Sequence, residues 1–247
     1  SIRNMNIGFI VPVYKDFDLL KTSALQIQKY YPNSPTSVMS DGNDDPDIRK
    51  YCHDNNLIYY LFDRSHTNAT PGAFFRNIIN VYDDLNTDVV IKADPDSRVQ
   101  GTIELGNELK NTVFGTMFES TLDKKIYDGN KLINLIRPRF IQNGIFGIGS
   151  DVIQTFKKEK YFEDDKFLTS RINSFLARGL PGEYILSTEL LMGIACQDLN
   201  IELYDHAEFY SIIYMKGRAR YFYDEFIDEK EAKLKLKEHK FVHPIYE

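Results

Sequence analysis

Asp88-Val89-Val90-Ile91-Lys92-Ala93-Asp94-Pro95-Asp96 is the stretch on which the fold turns. Its apolar run reads as a buried strand, and it ends in two carboxylates two residues apart. Strand alternation points Asp94 and Asp96 to the same side. Oxygen ligands placed so suit a hard divalent cation, Mg²⁺ or Mn²⁺. A strand-end carboxylate also serves as a turn residue or helix cap. The strand before the pair and the stiffening Pro95 favour the metal reading.

Working outward, Ile7–Val13 is a second apolar run with strand character, stopped by Pro12 and the polar Lys15-Asp16. Leu19, Leu20, Ala24 and Ile27 recur at helical spacing over 18–31, and Pro32 ends that helix. Strands are predicted over 36–39 and 57–62. Helices are predicted from Pro46 to about Asn55 and from Gly72 to Tyr82. Strand and helix thus alternate four times in about 100 residues, which implies an α/β fold with a mostly parallel sheet and helices on both faces. Ligands of such sheets bind beyond the carboxyl ends of the strands. Tyr14, Asp41, Asp63 and the Asp94/Asp96 pair all fall there. Beyond residue 100 the pattern loosens. Strands are expected over 113–118 and 139–148, the latter interrupted by glycines. Helices are expected over 151–158, 188–199 and 230–240, the last exposed.

A chain of 247 residues with 43% hydrophobic content can bury a core as one domain, 1–247. Thirty Lys and Arg against 36 Asp and Glu give a net charge of −6, which argues against a nucleic-acid surface. Cys52 and Cys196 are too few for a disulfide framework or a zinc site, so a reducing, cytoplasmic location is expected. No apolar run reaches the ~18 residues of a transmembrane span.

Residues 65–77 carry small side chains into a helix start, a place that favours anions. Arg76, one turn in, is positioned for a charge-assisted bond to phosphate or for a solvated helix face. Together, Ile10-Val11-Pro12-Val13-Tyr14, Ser40-Asp41-Gly42, Gly72-Ala73 with Arg76-Asn77, and Asp94-Pro95-Asp96 stand in an order that resembles the nucleotide-sugar half of family 2 type glycosyltransferases of the GT-A (Rossmann-like) fold. The likeness covers residues 1–100 well and the acceptor half, 101–247, loosely. It implies that Pro12, Val13 and Tyr14 line the nucleoside pocket, that Asp41 bonds uracil, that Arg76 sits near the diphosphate, and that Asp94 and Asp96 serve metal and ribose. The donor is then a nucleotide sugar, UDP-linked by expectation, and the acceptor a glycan or other hydroxyl compound.

The same resemblance gives roles further on. Residues 142–151 are similar to the passage lining donor sugar and acceptor, although a bulged strand explains the glycines equally. Thr188-Glu189 stands where the family carries an acidic pair. Glu189 is the candidate catalytic base, with Glu183 and Asp151 in reserve; a first-turn carboxylate complementing the helix dipole is the plainer account. His243, before Pro244, resembles a late histidine given to the metal, a ligand that suits Mn²⁺ better than Mg²⁺. Arg218 and Arg220 lie in a basic stretch read as a flexible lid over the diphosphate or as a solvated loop. Other classes share parts of this pattern. Residues 94–99 echo the nucleophile loop of a haloacid-dehalogenase-type Mg²⁺ phosphatase, although three strands precede it here. A nucleotidyltransferase, or a non-catalytic nucleotide-sugar or carbohydrate binding module, fits the strand-end carboxylates too.

Overall fold

The computed structural model describes residues 4–65, 69–118, 125–128, 131–134, 139–175, 187–215, 218–220, 226–227 and 229–244; the side chains of 125–134, 175, 187–189, 213–227 and 229 fall outside the description. Strands β1 (Ile7–Val13), β2 (Thr36–Asp41), β3 (Ile58–Phe62) and β4 (Val89–Ala93) alternate with helices α1 (Phe17–Tyr30), α2 (Pro46–Asp54) and α3 (Ala73–Leu85). The local signals are in place. Asp45 caps α2 by accepting from the N–H of Asp47 at 2.9 Å, with Pro46 next to it. Asn86 ends α3 in the left-handed region, at φ 49°.

Next come β5 (Arg98–Val99), a 3-10 turn (Asn107–Asn111), β6 (Thr112–Gly115), β7 (Met117–Phe118), β8 (Lys125–Asp128), β9 (Lys131–Asn134), β10 (Phe140–Ile141) and β11 (Ile145–Gly149). Helices α4 (Ser150–Glu159), α5 (Asp165–Phe175) and α6 (Ser187–Asp198) follow. The described order ends with β12 (Glu202–Asp205), β13 (Phe209–Ser211), β14 (Ile213–Met215), β15 (Arg218–Arg220), β16 (Phe226–Ile227), α7 (Glu229–Glu238) and β17 (Phe241–His243).

Alternate residues of the strands are apolar on both faces, so both faces need cover. Seven strands form the central sheet in the order β12-β6-β11-β4-β1-β2-β3. The pairs β1–β2, β2–β3, β1–β4 and β6–β12 are parallel, and only β11 runs against its neighbours β4 and β6. The expected α/β, Rossmann-like, mostly parallel architecture is therefore what the chain adopts. Phe9, Val11, Val38, Val89 and Ile91 pack with Leu20, Ala24 and Ile27 of α1 and with Ile48 and Cys52 of α2. Ile10, Met39 and Val90 pack on the other side, with Phe75, Ile78 and Val81 of α3 and with α4 to α6. Each such buried Val, Leu, Ile, Phe or Met side chain contributes ~1.5–3 kcal/mol.

Two features of this sheet position the site. Chain order steps from β1 through β2 to β3 in one direction, then returns to place β4 on the other side of β1. That reversal opens a crevice at the carboxyl ends of β1 and β4. A second sheet, β13-β17-β5, then carries residues 241–243 to this crevice. Its middle strand β17 pairs antiparallel with β5, immediately after Asp94–Asp96, and parallel with β13 so that Ser211 faces His243.

Several expectations need correction. The strand predicted over 113–118 is two, broken at Thr116. That over 139–148 is also two, broken at residues 142–144. Gly147 and Gly149 mark no bulge. A Cβ at Gly147 would lie 2.1 Å from the Phe114 ring, and one at Gly149 2.1 Å from the Lys110 carbonyl, so both permit close approach inside a regularly paired strand. The segment 218–220, read as a flexible lid or loop, is a strand in an antiparallel meander with β14 and β16. Helix α7 is mostly exposed as expected, anchored through Ala232 and Leu236, which are buried against Ile212 and Val242. Among the described residues no helix is long and apolar enough to cross a membrane. Both cysteines are free and buried.

Candidate metal centre

Strand β4 delivers Asp94 and Asp96 to the crevice, and β17 delivers His243 against them. The His243 Nε2 lies 3.2 Å from Asp96 Oδ1 and 3.7 Å from Asp94 Oδ2. One ligand atom from each of the three residues falls within 4.8 Å of the others. Adjacent ligands of a six-coordinate cation bound at ~2.1 Å stand about 3 Å apart, so these separations fit one ion with positions left over for outside oxygens. The donor set, two carboxylates and an imidazole, suits Mn²⁺, and Mg²⁺ less well. Burial pushes the Asp96 carboxyl up, but the hydrogen bond and charge of His243, its own backbone N–H and the charge of Lys92 outweigh that and hold it below the ordinary value.

The backbone around the pair is fixed at both ends. Asp94 N–H donates to the Gly144 carbonyl at 2.8 Å, and the Ser97 hydroxyl donates to the same oxygen at 2.9 Å. Gly144 precedes β11, whose Ile145 pairs with Ala93. A Cβ at Gly144 would fall 2.0 Å from His243 Nδ1. The glycine is there because the imidazole fills that space.

Behind the imidazole stands a chain of buried polar groups. His243 Nδ1 is 3.3 Å from the Ser211 hydroxyl, which in turn donates to Gln142 Oε1; that oxygen also accepts from Gly144 N–H at 2.6 Å. Thr116, the residue at which the predicted strand breaks, holds both partners. Its carbonyl accepts from Gln142 N–H at 3.0 Å and its hydroxyl from Ser211 N–H at 2.8 Å.

Lys92 was not singled out by sequence reasoning. In phase with Val90, its side chain enters the α3 face of the sheet, where it is 6% exposed with the Phe74 and Phe146 rings 5.3 and 5.9 Å from its ammonium. A buried cation needs partners. Asp94 Oδ1 and the Asn143 carbonyl supply them. With Lys92 counted, the two carboxylates leave a net charge of −1 before the imidazole is considered. The signal was available: a lone lysine inside an apolar strand, two residues before the first aspartate.

The other expected residues are placed as follows. Pro12 and Val13 end β1, with Val13 paired to Ser40, and Tyr14 follows directly. Asp41 ends β2 and is buried; its Oδ1 accepts from Ser65 N–H at 2.6 Å and Ser65 Oγ at 2.9 Å. Arg64, overlooked in the sequence, lays its guanidinium 3.5 Å over the Tyr14 ring and approaches Asp41 Oδ2 at 3.8 Å. Arg76 is neither a free phosphate ligand nor a solvated face. Its guanidinium forks onto Asp165 of α5 at 2.9 and 3.1 Å and donates to the Phe162 carbonyl at 2.7 Å, tying α3 to the helix layer. Asp151 is at the wrong edge of the sheet. Strand β11 runs antiparallel from Ile145 beside Ala93 to Gly149 beside Val89, so α4 starts about 15 Å from the metal end.

Glu189 belongs by its backbone to the first turn of α6, whose Leu191, Ile194 and Ala195 are buried as expected; its side chain lies outside the described residues. So do the side chains of Arg218 and Arg220, and all of Glu183. The centre is thus built from Asp94, Asp96 and His243, with Lys92, Gln142 and Ser211 behind them. Neither a protein-family model nor a curated protein matches the chain.

Proposed function

We propose that this chain is a metal-dependent glycosyltransferase, moving a sugar from a nucleotide-diphosphate donor, UDP-linked by preference, to a hydroxyl of a glycan or similar acceptor. One observation carries the reading: Asp94, Asp96 and His243 converge within 4.8 Å at the switch point of a Rossmann-like sheet. Strand spacing adds a dimension to it. Tyr14 and Asp41 stand one and two strands from β4, and two spacings make about 10 Å, comparable to the reach from a nucleobase to its diphosphate. The Tyr14–Arg64 stack offers a flat surface for a base at one end, and the carboxylate–imidazole cluster offers a cation seat at the other.

When bound, a divalent cation there offsets the charge that grows on a departing diphosphate. Asp94 and Asp96 orient that end of the donor, and Lys92 fixes Asp94 from behind. Glu189 takes the proton from the attacking hydroxyl as its bond to the anomeric carbon forms opposite the breaking bond to the diphosphate, a single displacement that inverts. Calorimetry of UDP and other nucleoside diphosphates, with and without Mn²⁺, tests the reading. Binding that requires Mn²⁺ and is lost in Asp96→Ala is expected. Metal-independent binding, or metal-dependent release of phosphate from aryl phosphates, would replace it with a different class.

A further inference from the structure

The hydrogen-bond chain behind His243 has a direction. Gln142 Oε1 can only accept, and it takes the N–H of Gly144 at 2.6 Å together with the Ser211 hydroxyl proton. The Ser211 proton is therefore committed away from the imidazole. What Ser211 offers His243 Nδ1, 3.3 Å distant, is a lone pair. When the ring is neutral its proton therefore sits on Nδ1, and the Nε2 lone pair is left for a cation seated beside Asp94 and Asp96. Without this chain the opposite tautomer gains, because an Nε2–H pointed at two carboxylates makes good hydrogen bonds and blocks the cation. Both supporting side chains are sealed from water, Ser211 at 0% and Gln142 at 4% exposure, so solvent does not reorient them.

We infer that Gln142 and Ser211 are positioning residues that hold His243 in its metal-ligating tautomer and thereby set the preference of the site for Mn²⁺ over Mg²⁺. The inference rests on the metal reading above. The preference follows because an imidazole lone pair strengthens binding of the softer Mn²⁺, whereas Mg²⁺ depends on the carboxylate oxygens. Outer partners of metal-bound histidines are typically worth 10–100-fold in affinity.

The test uses the full chain and the metals alone. Mn²⁺ and Mg²⁺ affinities are measured for wild type, Ser211→Ala, Ser211→Thr and Gln142→Leu, with thermal unfolding to establish folding. Nitrogen modulation in the electron spin echo of bound Mn²⁺ reports the imidazole. Ser211→Ala and Gln142→Leu are expected to lose about 10–100-fold in Mn²⁺ affinity and to lose the nitrogen signal. Mg²⁺ affinity should move less than about threefold, since the carboxylates are untouched. Ser211→Thr, which restores a hydroxyl, should retain both affinity and signal. Gln142→Leu changes no proposed metal ligand; it frees the Ser211 proton to donate to Nδ1 but also leaves the Gly144 N–H without its partner, so it is read beside Ser211→Ala, which keeps that bond. Unchanged affinity and signal in Ser211→Ala and Gln142→Leu overturn the inference while leaving the metal site standing. Wild-type protein that binds Mn²⁺ with no nitrogen signal does the same without any variant. Wild-type protein that binds no Mn²⁺ overturns the metal reading and this inference together.

Discussion

Gly144→Ala probes the centre through a single methyl group. An added Cβ would sit 2.0 Å from Nδ1, 2.1 Å from Cγ and 2.4 Å from Cε1 of His243. Restoring ordinary contact, at about 3.5 Å between carbon atoms, requires the ring to retreat by roughly 1.5 Å. A metal ligand tolerates about ±0.2 Å, so the imidazole leaves the seat. The backbone cannot yield instead, since the Gly144 carbonyl accepts from both Asp94 N–H and Ser97 Oγ and its N–H is held by Gln142. Overpacking of this kind costs about 1–3 kcal/mol of stability, and Mn²⁺ affinity should fall by more than the ~100-fold upper range for losing an outer partner. Mn²⁺ titration followed by electron paramagnetic resonance, run beside His243→Ala and with urea unfolding as control, supplies the numbers. Equal losses in Gly144→Ala and His243→Ala are expected. A folded Gly144→Ala protein that binds Mn²⁺ like wild type would refute the claim that glycine is required there to seat the imidazole.

Two further outcomes follow from charges the sequence reading passed over or assigned elsewhere. Lys92→Met removes the ammonium that neutralises Asp94, so Mn²⁺ alone should bind about tenfold more tightly, given that even ~1.4 kcal/mol of lost repulsion suffices; unchanged or weaker binding in a folded variant refutes that account. Asp165→Asn breaks the fork with Arg76 and should cost about 2 kcal/mol at pH 7. Burial pushes the Asp165 carboxyl up, but Arg76 and the N–H of Gly72 overcome this and hold it below its ordinary value. The folded form thus favours the carboxylate, and the contribution is present above about pH 4 and lost as pH falls through the lowered value. The variant should differ from wild type in urea unfolding at neutral pH and converge with it in acid; a constant difference across that range would show that the ionised form is not what stabilises.

Residues 1–100 were legible because each element there carries its own signal. Strand β4 ends where Asp94 begins, α2 starts at Pro46, and α1 and α3 show their buried stripes without help from the rest of the chain. Element edges moved by a residue or a few, as at Ala73–Leu85 against the predicted 72–82, because Asn86 rather than Tyr82 supplies the left-handed stop. The second half resisted for a physical reason. Strands of two or three residues such as β5, β7 and β17 have no periodicity to detect, and they exist only through their partners. Arg76 illustrates the converse failure. Its place one turn into a helix was read correctly, but nothing local reveals that Asp165, 89 positions away, takes both of its terminal guanidinium nitrogens.

The candidate site divides along the same line. Asp94 and Asp96 are visible because strand geometry relates two residues of one segment. His243 came from resemblance, since no local rule relates it to position 94. Its approach depends on β17 filling the gap between β5 and β13. That three-stranded sheet explains why the centre has both a front and a back. Strand β5 follows directly from the aspartates, so pairing Val242 with Arg98 sets the imidazole against the carboxylates. Pairing of His243 with Ser211 on the other side sets the hydroxyl behind the same ring. Register in so short a sheet admits little play, because a slip of one residue turns every side chain to the opposite face. A one-residue shift of β17 would therefore withdraw His243 from Asp96 and from Ser211 at once. The cation seat and its support thus follow from one register, fixed by residues with no ligand of their own, Phe241 beside Phe209 at 4.8 Å and Val242 in the pocket lined by Ala232 and Leu236.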